Sequence, residues 1–276
     1  MMGGAVMEYV TLNNSVKMPK LGYGTYRLTS NHAVKCVAEA LEIGYRHIDT
    51  AQYYDNEYEV GLAVKQSNIP REKIFITSKT QTSGYDYTLI GIQQSMKRYG
   101  LEYLDLMLMH WPNSDNIGTY RALVEGYKSG LFRAIGVSNF NEREINQLIK
   151  NFDVVPAADQ IETHIFWQQK RMHKYLTEAG IIHESWSPFG EGVSTILQNE
   201  TLTAIGTKYN KNAAQIALRF MLQSDVVTIP MSSNPKHMKE NFDIFDFKLT
   251  DEDMKTIQHM DQKKSFMGWP SSMQEN

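Results

Sequence analysis

Two hydropathy patterns alternate along this chain. Short, almost wholly apolar runs give way to longer segments in which apolar residues recur every three or four positions. The first pattern reads as strands buried on both faces, the second as helices with one apolar stripe. Strands begin at Leu21, Arg46, Ile74, Leu104, Ala134, Ala157, Ile181 and Val226. The first helix runs from Ser30 to Ile43, with Ser30 or Asn31 as its cap and Gly44 as its stop. Further helices are expected at Glu57–Gln66, Asp86–Tyr99, Thr119–Lys128, Glu142–Lys150 and Gln169–Ala179. A pair at Thr201–Lys208 and Ala213–Leu222 leads to the last strand. Ahead of all this lies a hairpin, Tyr9–Leu12 and Val16–Met18, turning at Asn13-Asn14.

Apolar strands separated by amphipathic helices predict a parallel sheet. Eight such units favour closure into a (β/α)8 TIM barrel, and 276 residues is near the roughly 250 typical of one. No linker-like or low-complexity stretch divides the chain, so residues 1–276 are expected to form a single domain.

Composition narrows the function classes. Hydrophobic content of 42% and charged content of 21% are ordinary for a soluble globular protein. A net charge of −3 gives no electrostatic case for nucleic acid. No apolar run approaches the ~20 residues that span a bilayer. The start lacks a basic and then apolar leader, and the one cysteine, Cys36, rules out an internal disulfide. A cytoplasmic protein with a structural Cys36 is expected. The histidines are dispersed, with no H-E-x-x-H and no cysteine pair, so no metal site is predicted. The G-x-G-x-x-G turn of an open dinucleotide-binding sheet, a P-loop and a nucleophile elbow are all missing.

Four ionisable residues mark strand ends. Asp49 closes the run Arg46-His47-Ile48-Asp49, Tyr54 follows in the next loop, Lys79 ends Thr77-Ser78-Lys79, and His110 follows Leu104–Met109. Singly, each has an ordinary explanation: a carboxylate caps a helix, a phenol packs, a histidine hydrogen-bonds in a core. Lys79 is harder to dismiss, because lysine is seldom buried without a partner. Together, on the C-terminal face of a barrel where active sites are built, they form a proton-donating device. A free phenol is a poor acid at neutral pH, and a neighbouring ammonium stabilises its phenolate and lowers its pKa. A carboxylate keeps that ammonium in place, and an imidazole orients a carbonyl oxygen. The set suits a carbonyl receiving a hydride.

The surrounding motifs carry a resemblance. Gly22-x-Gly24-Thr25, Gly44-Tyr45-Arg46-x-Ile48-Asp49-Thr50-Ala51-x-x-Tyr54 and Met109-His110-Trp111-Pro112 occur in order. They are followed by Gly136-Val137-Ser138-Asn139-Phe140, Asp159-Gln160-Ile161-Glu162 and Trp186-Ser187-Pro188-Phe189-Gly190. Over about Val10 to Phe247 this resembles the aldo-keto reductase family, whose fold is a (β/α)8 barrel with an N-terminal hairpin closing its bottom. The resemblance implies that Tyr54 is the general acid, Lys79 lowers its pKa, Asp49 pairs with Lys79, and His110 orients the substrate. It implies a nicotinamide cofactor near Gly24 and Thr25, with Ser138, Asn139 and Gln160 on the carboxamide and Trp186 stacked on the ring. Ser187, Phe189 and the Gly190-Glu191-Gly192 turn would wrap the pyrophosphate. Ser232, Asn234, His237, Glu240 and Asn241 match the adenosine side.

In that motif Met231 stands where the family has lysine and His237 where it has arginine, the cations that grip the 2′-phosphate of NADPH. NADP(H) is the expected cofactor, with NAD(H) or dual use left open by these two positions. Short loops suggest an open pocket lined by Tyr26, Tyr53, His110, Trp111 and the tail's Trp269, accepting small or medium carbonyl compounds. The partner is then a small molecule, neither nucleic acid nor membrane, and the protein a monomer or weak dimer. Two alternatives remain at this stage: a non-catalytic nicotinamide-binding barrel, and a Schiff-base enzyme with Lys79 as nucleophile.

Overall fold

Residues 7–192, 195–268 and 270–274 are described by the computed structural model. The N-terminal hairpin is present: β1 (Tyr9–Thr11) and β2 (Lys17–Pro19) pair antiparallel, with Val10 opposite Met18. Its Leu12 and Met18 pack against Phe75, Leu106, Leu108, Ala134, Ala158 and Val227, the lower interior of the main sheet.

Eight parallel strands follow in chain order: β3 (Tyr23–Gly24), β4 (His47–Asp49), β5 (Phe75–Thr80), β6 (Leu104–Met109), β7 (Phe132–Ser138), β8 (Ala158–Glu162), β9 (Ile182–Trp186) and β10 (Val227–Thr228). Each pairs with its sequence neighbour. A parallel bridge between Leu21 and Thr228 joins the two ends, reinforced by Gly22 N to Thr228 O at 2.9 Å and Gly24 N to Pro230 O at 3.1 Å. A Cβ on Gly24 would lie 2.9 Å from the Ile229 carbonyl, so this closure needs a glycine there. The barrel expected from the alternation is therefore observed.

Helices α1 (Ser30–Ile43), α2 (Glu57–Gln66), α3 (Tyr85–Tyr99), α4 (Asn116–Lys128), α5 (Glu142–Asn151), α6 (Lys170–Glu178), α7 (Glu200–Tyr209) and α8 (Ala213–Gln223) cover the sheet. Their apolar stripes, such as Val60, Ala63 and Val64 of α2 and Ile145 and Leu148 of α5, are buried against it. Among the described residues no helix is long and apolar enough to cross a membrane.

Several local expectations are corrected. The first helix is preceded by Thr29, which makes no side-chain cap bond, rather than being capped by Ser30 or Asn31. Helix α4 starts three residues early because Asp115 accepts from Gly118 N and supplies the cap. Two helices were not anticipated: α9 (Pro235–Phe242) and α10 (Asp251–Gln258). Asn234 and Thr250 cap them, and Pro235 occupies the first turn of α9, where a missing N–H costs nothing. The strands also depart from a wholly apolar reading. His47, Asp49, Thr77, Lys79, Gln160 and Glu184 are buried polar residues of the sheet.

Candidate active site

Asp49, Lys79 and His110 sit at the C-terminal ends of β4, β5 and β6, so strand geometry alone brings them to one rim. Tyr54 reaches the same place through a short 3-10 turn, Gln52–Tyr54. That turn is pinned on both flanks. Gln52 donates to Ser95 Oγ at 2.9 Å and accepts from Gln81 N at 3.0 Å. Asn56 donates to the carbonyls of Thr25 and Leu28 at 2.9 and 2.8 Å. Ordering the phenol in advance removes an entropic cost from any reaction it takes part in.

The four groups are brought together as expected. Lys79 Nζ donates to Asp49 Oδ1 at 2.5 Å, to the Thr50 carbonyl at 3.0 Å and to Tyr54 Oη at 3.4 Å. Gln160 Nε2 donates to the other Asp49 oxygen at 2.8 Å. The Tyr54 and His110 rings stand 5.8 Å apart, edge to face, and Tyr26 lies 5.0 Å from Tyr54. A cavity of about 530 Å³ opens over them. That volume is within the roughly 300–1,000 Å³ usual for small-molecule sites.

Burial governs the protonation states. It presses the Lys79 ammonium towards its neutral form, but Asp49, Tyr54 and Glu184 outweigh it and hold the pKa above the ordinary lysine value. Lys79 is thus charged. His110 is pushed down to about 3 by burial and by Lys79, so it is a neutral imidazole with one N–H to donate. For Tyr54 the expected net sign is corrected. Burial raises the phenol above its ordinary value, and the Lys79 ammonium pulls in the anticipated direction without overcoming it. The consequence favours a proton donor: the phenol stays protonated through neutral pH and releases its proton only to a strongly basic oxygen.

A second group lies beside the first. Ser138 Oγ donates to the Gln160 carbonyl at 2.7 Å. Asn139 Nδ2 donates to the His110 carbonyl at 3.0 Å and to Ser138 Oγ at 3.1 Å. Trp186 Nε1 donates to Asn139 Oδ1 at 2.8 Å. These residues line the cavity together with Gly24, Tyr26, Tyr53, Trp111, Ser187, Phe189 and Met231. Arg27 and Glu191, also on its wall, approach to 3.6 Å.

Other expected residues lie elsewhere. Thr25 is fully buried behind the wall, its hydroxyl bonded to the Asp49 carbonyl. Ser232, Asn234, His237, Glu240 and Asn241 are not on the cavity wall. They form the approach to α9 and its first turns, where Asn234 caps Lys236 N and Glu240 faces Lys236 at 3.8 Å. Of the tail, Phe266 stacks on His164 at 4.5 Å and does not line the cavity, while Trp269 lies outside the described residues. The tail is held by Glu162, which accepts from Ser265 Oγ at 2.5 Å and Phe266 N at 2.8 Å. Sequence reading missed Arg27, Leu197 and Ile229 as lining residues. Nothing in their local pattern marked them, since each is placed by the path of a loop or strand end.

The comparisons with known proteins agree with this geometry. The family model described as "Aldo/keto reductase family" matches residues 20–262. The chain belongs to the aldo/keto reductase family. It is 44% identical over 257 residues to the glyoxal reductase of Bacillus subtilis (strain 168), covering 92% of each chain. Among solved structures it resembles MGS-M4, an aldo-keto reductase from a Medee basin deep-sea metagenome library. There the TM-score is 0.91 and the identity 43%, covering 93% of this chain and 96% of that one. It also resembles an aldo-keto reductase complexed with NADPH, with TM-score 0.87 and 33% identity, covering 95% and 90%.

The residues present fit a nicotinamide dinucleotide. Ser187 Oγ is a buried hydroxyl without a hydrogen-bond partner on the cavity wall, a donor available to an anionic oxygen. Trp186 offers an aromatic surface beside the amide-bearing Asn139 and Gln160. Lys79 is not itself on the wall and is held by Asp49, which argues against its use as a Schiff-base nucleophile. Among the described residues no group of three or more His, Cys, Asp or Glu could hold a metal ion.

Proposed function

We infer that the protein reduces small aldehydes and ketones to alcohols, using NADPH and Tyr54 as the proton donor. The observation that carries this reading is the buried chain Asp49–Lys79–Tyr54 ending beside a neutral His110 on the cavity wall. When bound, a nicotinamide dinucleotide supplies the hydride. The residues supply the rest. His110 donates its N–H to the carbonyl oxygen and orients it. Tyr54 Oη transfers a proton to that oxygen as negative charge develops there, and Lys79 stabilises the phenolate left behind. Asp49 and Gln160 keep the ammonium from swinging away.

Ser138, Asn139 and Gln160 would hold the carboxamide, Trp186 the ring face, and Ser187 with the Gly190–Gly192 turn the pyrophosphate. Ser232, Asn234, His237, Glu240 and Asn241 would meet the adenosine end, along with Met231. His237 and Met231 are both exposed there, so a 2′-phosphate would meet a histidine and hydroxyl or amide groups at the positions where the family has two cations. That arrangement leaves use of NADH open.

Substrates enter past Tyr53, which is 67% exposed, and rest against Tyr26 and Trp111. The likeness to a glyoxal reductase supports short α-dicarbonyls as one substrate class. We read the chain as one cytoplasmic barrel domain, working as a monomer or weak dimer.

The test is a carbonyl panel, including glyoxal and methylglyoxal, with NADPH and NADH oxidation followed by absorbance. Turnover with NADPH is expected. Tight NADPH binding without turnover of any carbonyl would replace this reading with a non-catalytic nicotinamide-binding barrel.

A further inference from the structure

One layer below the catalytic groups, the barrel interior holds a second carboxyl that the proposed reaction does not use. Glu184 lies on β9, in register with Gln160 of β8 and Val227 of β10, and is completely buried. Neither of its carboxyl oxygens has a hydrogen-bond partner that meets ordinary geometry. Among the described residues the basic side chain within 4 Å of it is His47 of β4, whose Nε2 is 3.7 Å from Glu184 Oε1, too long for a hydrogen bond. That imidazole is committed elsewhere: Nε2 lies 3.0 Å from Thr77 Oγ1. The ring fits only because residue 22 is glycine, since a Cβ there would lie 2.6 Å from His47 Nδ1.

The charges facing Glu184 are Asp49 on β4 and Lys79 on β5, with His47 the remaining titratable group and Gln160 the polar neighbour on β8. Burial and Lys79 push His47 down to about 3, so it is neutral and offers no counter-charge. Among the described residues the barrel interior therefore contains one ammonium, and Asp49 already holds it at 2.5 Å. A second carboxylate would be an uncompensated buried charge, which proteins avoid by keeping the group protonated. Burial, and next the Asp49 charge, raise the Glu184 carboxyl to about 8 against the opposing pull of Gln160 and Lys79.

We propose that Glu184 is a positioning residue for the Tyr54 proton donor: as a neutral acid it leaves the Lys79 charge free to stabilise the phenolate, and on ionising it switches reduction off. The proposal rests on Tyr54 being the donor. No bond changes at Glu184 beyond loss of its own proton to solvent. Once ionised, it competes with the Tyr54 phenolate for the single ammonium, so proton donation by Tyr54 becomes less favourable. The sign follows directly. Reduction is at full strength while Glu184 is neutral and falls as pH rises through its pKa near 8. With that pKa, about one tenth of the protein retains the neutral acid at pH 9.

The test compares pH profiles of kcat/KM for the wild type, Glu184→Gln and Glu184→Met. Neither variant can ionise at this position, and Met serves if Gln folds poorly. The wild type should lose about tenfold between pH 7 and pH 9, and the variants should lack that limb. A second readout needs no turnover: the infrared spectrum of the wild type without cofactor. A protonated-carboxyl C=O band absent from Glu184→Gln should be present at pH 7 and bleach near pH 8. An identical alkaline limb in all three proteins, or an ionised Glu184 at pH 7, would overturn the proposal. Failure to turn over any carbonyl would instead count against the reductase reading, and the infrared result would still decide the charge state of Glu184.

Discussion

At the C-terminal rim one ammonium, Lys79, meets one carboxylate, Asp49, with side chains only 1% and 2% exposed. At the opposite end one carboxylate, Asp105 at the start of β6, meets two guanidiniums. Arg71 and Arg133 approach it at 2.8 Å each and keep 21% and 41% of their own surface in water. Asp105 Oδ2 also accepts from Ile76 N at 2.9 Å, so both of its oxygens are engaged. Both are buried carboxylates of one sheet, on β4 and β6 with β5 between them, yet they are solvated differently. At the bottom the long arginine stems reach solvent, and the cluster fastens three strand starts at modest desolvation cost. At the rim the lysine has no route to water, and its remaining hydrogen-bonding capacity points at the Tyr54 phenol. A charge buried at that cost, with a reactive group as its outlet, is what the proposed proton donor requires of this end.

The comparison can be broken at either end. Lys79→Met should have the larger effect on stability, because it leaves Asp49 buried and unpaired. Denaturant unfolding should show a loss of about 3–5 kcal/mol, largely recovered by adding Asp49→Leu, while neither variant reduces carbonyls. A loss below about 1 kcal/mol would mean the pair is better solvated than its geometry indicates. Asp105→Ala should cost less, roughly 1–3 kcal/mol, since the arginines freed by it are already partly hydrated. Its kcat/KM per folded molecule should stay within about twofold of wild type, because the floor of the barrel lies between it and the cavity. A large kcat effect without unfolding would erase the functional distinction between the two ends.

How much of this could be read from the sequence depended on whether local spacing carried the information. Asp49, Lys79 and His110 were legible because each closes an apolar run, and in a parallel barrel every strand end points to the same face. Gln160, Ser138 and Asn139 came from motif resemblance, and their mutual hydrogen bonds became visible only in three dimensions. Glu184 passed unnoticed inside Ile181-Ile182-His183-Glu184-Ser185, although two-residue periodicity separates His183 from Glu184 onto opposite faces. Helices α9 and α10 were missed because their buried residues are few, Met238 and Asn241 in one, Asp253 and Ile257 in the other. Their caps were nevertheless in plain view at Asn234-Pro235 and Thr250-x-x-Asp253. The tail's attachment to Glu162 joins positions 103 residues apart and has no local signature. The net effect on Tyr54 was misjudged for a related reason: a neighbouring ammonium can be guessed from spacing, but the depth of burial opposing it cannot.

The central claim is that the phenol held by Lys79 delivers the proton in carbonyl reduction. Its most direct test is single-turnover hydride transfer in Tyr54→Phe, with NADPH affinity measured separately by fluorescence titration. The account predicts a rate lower by about 10²–10⁴-fold with NADPH Kd changed by less than about threefold. Turnover within about tenfold of wild type in Tyr54→Phe would show that the proton comes from elsewhere and would contradict the account.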